Sequence, residues 1–293
     1  MRHTPHAGLS VVFAGGGCKT FWGMGVLRAL EGLLPPVDNW AGTSAGSIMA
    51  LVSVSERVDE SLAYFLDITS KNPRNFYAHR ALVGGPVFPH DSIVRSTLRF
   101  IMDGGGFARI RQAAPVHILM SVLRAESPML RTCVNALRSF EQRNRIGRVH
   151  GPSSPPPGID ARVVRSIDAA DPQQLVEWAV MSASTPPVTP APSHDGLRYL
   201  DGALVDNVPV RALPEQAHRG RILVLLSSPF KVARVPLRLP EGGRILYLAP
   251  ADELPVTTWD YTSPDNVMAT YELGQREGTV LRGRVASLLD DVG

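Results

Sequence analysis

The sequence predicts an α/β fold in which a mostly parallel central sheet is flanked by helices. Short apolar segments rich in β-branched residues alternate with longer segments whose apolar residues recur at helical spacing. This alternation is typical of parallel strands joined by crossover helices. The chain also has 293 residues, of which 44% are hydrophobic, and this is enough to bury one large core. We therefore expect a single domain over residues 1–293.

The N-terminal part of the pattern runs to residue 55. Its first strand, LSVVFA, ends at three consecutive glycines, and two prolines at 35 and 36 stop the helix that follows. The order strand, helix, strand, helix predicts that the two strands pair in parallel. The predicted elements are a strand at 9–14, a helix at 20–34, a strand at 37–42 and a helix at 44–55.

Patterns typical of strands and helices continue through the rest of the chain, at wider spacing. Asp171 and Pro172 are typical of the cap and the first position of a helix, here at 171–184. A long helical pattern occupies 264–290, in which three glycines are weak points: Gly274, Gly278 and Gly283. Four more strands are predicted, at 114–124, 161–167, 221–228 and 244–250.

Residues 125–160 break the pattern, because they are rich in arginine and end in the segment GPSSPPPG. We interpret them as an excursion from a core that carries the motifs over about 9–213. Six arginines stand against two glutamates within 124–148, and apolar residues recur there at helical spacing. A basic amphipathic helix can lie on an anionic membrane, so residues 125–148 predict a peripheral membrane contact. The alternative is a solvated helix that packs its apolar face on the core.

The composition argues against several classes of protein. The net charge of +3 is small and aromatic residues make up only 6%, so nucleic acid is not an expected partner. No apolar run is long enough to cross a bilayer, and the first apolar run is too short and glycine-interrupted for a signal peptide. Two cysteines cannot form a disulfide scaffold. We therefore expect a cytoplasmic protein whose contact with membranes is peripheral.

The segment GTSAG places Ser44 between Gly42 and Gly46, where a predicted strand passes into a predicted helix. A nucleophile elbow needs this placement, because glycines two residues before and after the serine leave room for the strained turn. The N-terminus of the following helix supplies free backbone N–H groups. The alternative is a serine that caps the helix in a glycine-rich turn.

The segment AGGGCKT, residues 14–20, lies at a second junction of this kind. Its three glycines allow backbone N–H groups to converge on one anion, since no Cβ blocks the approach. A phosphate-binding loop would need glycine where Phe13 and Cys18 stand, and a dinucleotide-binding motif would need glycine at Thr20. An oxyanion hole fits better, because it requires only glycine N–H donors beside the elbow.

An aspartate followed by a glycine marks the third segment, YLDGALVDNVPV at 199–210. Asp201 is a candidate base for the serine, and Gly202 favours a tight turn after the strand. Asp206 is a rival base five residues later in the chain. The residues alone do not choose between the two carboxylates.

In this order, the segments GGGCK, GTSAG and DGA resemble those of the patatin-like phospholipase family. The segments WAVMSASTPPVTPAP at 178–192 and DNVPV are also similar to the family, so the resemblance spans about residues 9–213. Thr20 is a departure, because the family usually has glycine after the lysine or arginine of the first motif. This difference bears on the turn that enters the first helix and on the packing of Lys19.

The resemblance implies a patatin-like fold and a Ser–Asp dyad in place of a triad, with Ser44 as nucleophile and Asp201 as base. A carboxylate is a weak base toward a serine hydroxyl, so we expect a dry, apolar-walled site that raises its pKa. The residues implied for the oxyanion hole are Gly15, Gly16, Gly17 and Ala45, with Lys19, Gly42, Gly46 and Gly202 in support.

The expected activity is phospholipase A-like hydrolysis of an ester bond in a lipid or phospholipid substrate. The alternatives are a carboxylesterase or thioesterase for soluble esters, and a catalytically silent lipid-binding protein of the same fold. His194 and His218 are predicted to be solvated, and the eight histidines show no metal-ligand spacing. We therefore expect neither a metal site nor a cofactor.

Overall fold

The computed structural model describes residues 8–290 except for 84, 86 and 153, so both ends of the predicted domain lie outside the described residues. The strands of the described part are β1 (Leu9–Phe13), β2 (Val37–Thr43), β3 (Val116–Leu123), β4 (Ile159–Arg165), β5 (Ser193–His194), β6 (Leu197–Asp201), β7 (Arg221–Leu225), β8 (Leu237–Arg238) and β9 (Arg244–Leu248). Its α-helices are α1 (Phe21–Ala29), α2 (Ala45–Val54), α3 (Val58–Ser70), α4 (His90–Met102), α5 (Gly106–Gln112), α6 (Met129–Arg145), α7 (Pro172–Ser182) and α8 (Pro264–Leu289).

The strands form one mixed sheet whose centre is parallel and whose margins are antiparallel. Strands β3, β2, β1, β7 and β9 lie side by side and run in one direction. Strands β4, β5, β6 and β8 run antiparallel to the strands they pair with. The predicted α/β class, with mostly parallel strands flanked by helices, is confirmed.

Both faces of the central strands are covered by apolar clusters. Successive side chains of a strand point to opposite faces, so one strand contributes to both clusters. Along β1, Val11 and Phe13 contact the larger apolar cluster, and Val12 belongs to a second cluster on the other face. Helices α1, α2, α7 and α8 bury the first face. The second face lies under the short 3-10 turns that follow β6, through Val208, Val210, Leu213 and Ala217.

The six strands that the sequence predicts are present, and their bounds lie within three residues of the expected ones. They are β1, β2, β3, β4, β7 and β9. The predicted helix at 20–34 is too long, because α1 ends at Ala29. Leu30 is buried, and Leu33 and Leu34 pack against the core from turns. The leucines therefore continue the apolar pattern although the helix has ended. Helices α3, α4 and α5 were not predicted.

Helix α8 runs unbroken through the glycines that the sequence marks as weak points. A Cβ added to Gly274 would lie 2.1 Å from the carbonyl oxygen of Trp22 in α1. A Cβ added to Gly25 of α1 would lie 2.0 Å from the carbonyl oxygen of Tyr271 in α8. Glycine at this crossing thus lets two helix backbones touch. Gly283, in contrast, has nothing within 4 Å of its added Cβ.

Residues 125–160 form α6 and the start of β4. Ala136 and Thr132 of α6 are buried, and the helix packs on a third apolar cluster that includes Leu200 and Leu204, next to Asp201. The apolar side of α6 is therefore used within the protein, as the alternative interpretation expects. No helix in the described ranges is long and apolar enough to span a membrane.

We predict that Gly274→Ala lowers the free energy of unfolding by about 1–3 kcal/mol, because the added methyl group overpacks the crossing of α1 and α8. Gly283→Ala is the matched control. It should raise the free energy of unfolding by up to about 1 kcal/mol through helix propensity alone. Urea unfolding followed by circular dichroism measures both values, and equal effects of the two changes would contradict the close crossing.

Candidate active site

The strands that carry Ser44 and Asp201 meet end to end along β3. Strand β2 pairs in parallel with the first half of β3, where Thr43 lies opposite Leu119. Strand β6 pairs antiparallel with the second half, where Asp201 lies opposite Met120. Strand β4 occupies one edge of β3 along both halves, so β2 and β6 share the other edge. Their carboxyl ends therefore converge at two consecutive residues of β3.

Ser44 occupies a sharp turn between β2 and α2. Its φ of 53° and ψ of −134° lie in a region that costs free energy for a residue with a Cβ. Its N–H donates to Ser182 Oγ (2.9 Å), and its carbonyl oxygen accepts from Ser47 Oγ (2.6 Å). These contacts hold the strained turn that the GTSAG segment predicts.

The glycines of the elbow allow close backbone contacts. A Cβ at Gly42 would lie 2.5 Å from the nitrogen of Ser47, and one at Gly46 would lie 2.5 Å from the carbonyl oxygen of Ala14. A Cβ at Gly202 would lie 2.3 Å from a carbonyl oxygen of β3. Backbone atoms cannot move aside, so all three glycines have a steric role beside the serine.

Ser44 and Asp201 are joined by a hydrogen bond. Ser44 Oγ donates to Asp201 Oδ2 over 2.7 Å. The N–H of Ala203 donates to Asp201 Oδ1 (2.8 Å), and Thr185 Oγ1 donates to Oδ2 (3.3 Å). Burial raises the pKa of Asp201 to about 6, although these hydrogen bonds oppose the rise. The carboxylate is therefore ionised at neutral pH and is a stronger base than an exposed aspartate.

The rival groups lie elsewhere. Asp206 Oδ1 accepts from the N–H groups of Gly151 (2.8 Å) and Val208 (3.1 Å). His194 is exposed and lies 3.3 Å from a carboxylate oxygen of Asp195. Among the described residues, no histidine is hydrogen-bonded to Ser44 or Asp201. The same residues contain no cluster of histidine, cysteine or acidic side chains that could hold a metal ion.

The glycine segment, residues 14–20, follows β1 and passes directly beside Ser44. A Cβ at Gly15 would lie 3.3 Å from the Cβ of Ser44. The N–H of Gly15 donates to the carbonyl oxygen of Asn207 (3.0 Å), so this N–H is not free to donate to an oxyanion. Gly17, with a φ of 56°, begins a 3-10 turn, and Ala45 begins α2. N–H groups at such positions have no partner within their own helix.

Thr20 fits the turn in which the family usually has glycine. Its side chain is buried, and Oγ1 donates to the carbonyl oxygen of Gly17 (2.7 Å), which closes the turn. Lys19 Nζ pairs with Glu253 (3.2 Å) and therefore ties this segment to the loop before α8. Cys18 Sγ donates to the carbonyl oxygen of Asp260 in the same loop (3.2 Å). Burial raises the pKa of the Cys18 thiol far above its usual range, so this cysteine is a packing residue.

The sequence did not single out the residues that support the two reacting groups. Ser182 Oγ accepts from the N–H of Ser44 and donates to the carbonyl oxygen of Leu119 (2.6 Å), which links the elbow to β3. Ser227 Oγ donates to the carbonyl oxygen of Gly15. In the sequence, Ser182 and Thr185 are indicated only by their place in the alanine- and serine-rich segment before Asp201. Ser227 carried no signal of its own.

An apolar cavity opens beside the same turn. Gly17 and Ala45 lie in its wall, and side chains of α1, α2, α3 and α4 form most of the remainder. Its empty space, including the part that is open to solvent, is about 590 Å³. Its accessible interior is about 40 Å³, so the cavity is narrow.

Comparison with known proteins gives one family match and a similar solved structure. The family model described as patatin-like phospholipase matches residues 11–214, which is 204 of the 293 residues. The crystal structure of VipD from Legionella pneumophila aligns with a TM-score of 0.47 and 11% identity, over 95% of this chain and 67% of that chain. No curated protein matches the sequence. With its motifs in order and the family model matched over most of its length, the chain belongs to the patatin-like phospholipase family.

Proposed function

We propose that the chain is a serine lipid acyl hydrolase, phospholipase A-like, in which Ser44 and Asp201 form a catalytic dyad. Family membership supports lipid acyl hydrolysis in general. The finer proposal depends on one observation, the 2.7 Å hydrogen bond from Ser44 Oγ to the buried Asp201 carboxylate. We also propose that residues 1–293 form a single patatin-like domain, since all described strands belong to one sheet.

In the first half of the reaction, Ser44 Oγ attacks the carbonyl carbon of the ester and its proton passes to Asp201. The C–O bond to the alcohol then breaks, and the alcohol oxygen takes the proton from Asp201. In the second half, water attacks the acyl-serine and gives its proton to Asp201. The bond to Ser44 Oγ breaks, the serine regains the proton, and the fatty acid leaves.

The oxyanion of each tetrahedral intermediate needs N–H donors at the turn. We assign this role to Gly16, Gly17 and Ala45, because the glycine segment and the start of α2 lie on either side of Ser44. Donors fixed in a water-poor site stabilise charge that develops only in the transition state. Gly15 serves instead to bring the segment close to Ser44.

The alternatives differ in what they require of the site. A silent lipid-binding protein would not need a strained serine hydrogen-bonded to a buried carboxylate, and each of these features costs folding free energy. A carboxylesterase or thioesterase for soluble esters would not need an apolar cavity beside the nucleophile. These features favour a catalytic site for lipid esters.

We predict that Ser44→Ala abolishes ester hydrolysis and labelling by a fluorophosphonate probe, because the nucleophile is removed. Asp201→Asn should lower kcat by several orders of magnitude, because an amide cannot accept the serine proton. His194→Ala, which changes an exposed residue, is the control and should stay close to the wild type. Residual activity of Ser44→Ala within tenfold of the wild type would contradict the mechanism.

The folding of Asp201→Asn provides a second readout. A buried aspartate whose pKa rises from 3.8 to about 6 weakens the fold above pH 4, because its ionised form is disfavoured in the folded state. The neutral amide avoids this penalty, so the variant should be at least as stable as the wild type at pH 7, by up to about 3 kcal/mol. A loss of activity accompanied by unfolding would not support the assignment of Asp201 as base.

The pH dependence of kcat/KM should follow Asp201. The value should be constant above about pH 7 and should fall roughly tenfold per pH unit well below pH 6, because protonation removes the base. A soluble short-chain ester is the substrate, and circular dichroism at each pH checks that the protein stays folded. A flat profile down to pH 4.5 in a folded protein would contradict the assignment.

Membrane contact through residues 125–148 remains a proposal, in a narrower form. Three arginines of α6 are exposed and recur every seventh residue, which places them in one row along the helix: Arg131, Arg138 and Arg145. Arg143 is different, because its side chain is half-buried and Nη1 donates to Ser139 Oγ (2.8 Å). We propose that the exposed row contacts anionic lipid headgroups.

Replacement of Arg131, Arg138 and Arg145 by glutamate should then weaken binding to phosphatidylserine vesicles at low salt, while hydrolysis of a soluble ester continues. Each arginine near such a surface contributes about 1 kcal/mol. In the matched control, glutamate replaces three exposed arginines elsewhere in the chain, Arg74, Arg238 and Arg276. Equal binding by both triple variants would show that net charge alone, and not this row, governs attraction to the vesicle.

A further inference from the structure

The cavity beside Ser44 has a length that the helices define. Four positions of α2 line one wall, beginning at Ala45, passing Ile48 and Met49 and ending at Val52. These residues share one face of the helix, and the seven-residue span corresponds to about 10 Å at 1.5 Å per residue. The cavity therefore extends about two helical turns away from the nucleophile.

The far end of the cavity lies at the junction of α2 and α3. Val58, the first residue of α3, belongs to the same wall, and only three residues separate α3 from α2. From Val58, helix α3 runs back toward the end of the cavity that lies near Ser44. Its Phe65 lies against Phe21 and Tyr261, with ring centroids 4.9 Å and 5.7 Å apart, and Tyr261 follows the residue that accepts a hydrogen bond from Cys18.

One end of the cavity lies at the proposed oxyanion donors. Gly17 and Ala45 both line it, so a carbonyl oxygen held by their N–H groups would place its carbon substituent at the cavity entrance. The walls beyond are almost wholly hydrocarbon. Such a lining fits the acyl part of an ester and offers nothing to a phosphate or sugar headgroup.

We propose that this cavity holds a single acyl chain and measures its length, so that the preferred substrates are esters of acids with about eight carbons. Extended hydrocarbon advances about 1.3 Å per carbon, because its C–C bonds of about 1.5 Å zigzag at tetrahedral angles. A cavity of about 10 Å therefore accommodates about eight carbons. Longer chains leave their ends outside and gain no further contact. This inference rests on the proposed function, because it assumes that Ser44 attacks the ester carbonyl.

Ser61 offers a place to test the cavity without breaking other contacts. It lies in the wall of the cavity, one helical turn from Val58, and its side chain is 4% exposed. Its Oγ has no hydrogen-bond partner among the described residues. Ser61→Leu therefore adds volume to the middle of the cavity and removes no hydrogen bond. Ser61→Ala is the matched control, because it also removes the hydroxyl but leaves the space open.

The experiment measures kcat/KM on p-nitrophenyl esters of acids with two to twelve carbons, below their aggregation concentrations. The readout is the ratio of each ester to the acetate within the same variant. Each buried methylene adds up to about fourfold, and acetate and octanoate differ by six methylenes. Even at about twofold for each, the wild type should rise about a hundredfold from acetate to octanoate and then level off. A reverse series, acetates of alkanols with two to twelve carbons, should show no such rise.

In Ser61→Leu the octanoate-to-acetate ratio should fall at least tenfold, whereas in Ser61→Ala it should equal or exceed that of the wild type. Val58→Phe, at the far end, should move the preferred length about two carbons shorter. A flat acyl series in an active wild type, a rise in the reverse series, or an unchanged ratio in Ser61→Leu would overturn the acyl site and leave the hydrolase intact. A wild type that hydrolyses no ester, acetate included, would refute the proposed function itself.

Discussion

The pairing of β3 with two strands on the same edge is the constraint on which the rest of the site depends. Strand β2 arrives in parallel and stops opposite Leu119, and β6 arrives antiparallel and stops opposite Met120. Ser44 and Asp201, 157 positions apart in the chain, are thereby placed within one hydrogen bond. A shift of β6 by one residue would turn the Asp201 side chain to the other face of the sheet.

Ser44 and Asp201 are both held in states that cost folding free energy. Ser44 has a positive φ, and the carboxylate of Asp201 is removed from water. Hydrogen bonds from neighbouring segments offset part of this cost, above all those that join Ser182 to Ser44 and to β3. The surrounding structure must offset the rest of the cost, and strain of this kind is typical of functional sites.

The two sides of the turn have different physical character. On one side, polar backbone groups and small side chains of the β1, β6 and β7 ends surround Ser44 and Asp201. On the other side, α1 to α4 present hydrocarbon, and the glycine segment forms the boundary between them. Lys19 and Cys18 attach that boundary to the loop before α8. Under the proposed function, an ester would place its carbonyl on the polar side and its chain on the apolar side.

The sequence by itself determined the features that depend on neighbours in the chain. The glycines around Ser44 predict its strained turn, and alternating apolar segments predict the parallel strands, because turn strain and side-chain periodicity are local properties. Only the tertiary structure placed Asp201, and not Asp206, within a hydrogen bond of Ser44, engaged the N–H of Gly15 with Asn207, and gave Gly274 its place against α1. It also brought Ala45, Ser61 and Gly17 to one cavity. Each of these outcomes depends on contacts between segments far apart in the chain, and no local pattern specifies which of the available partners will meet.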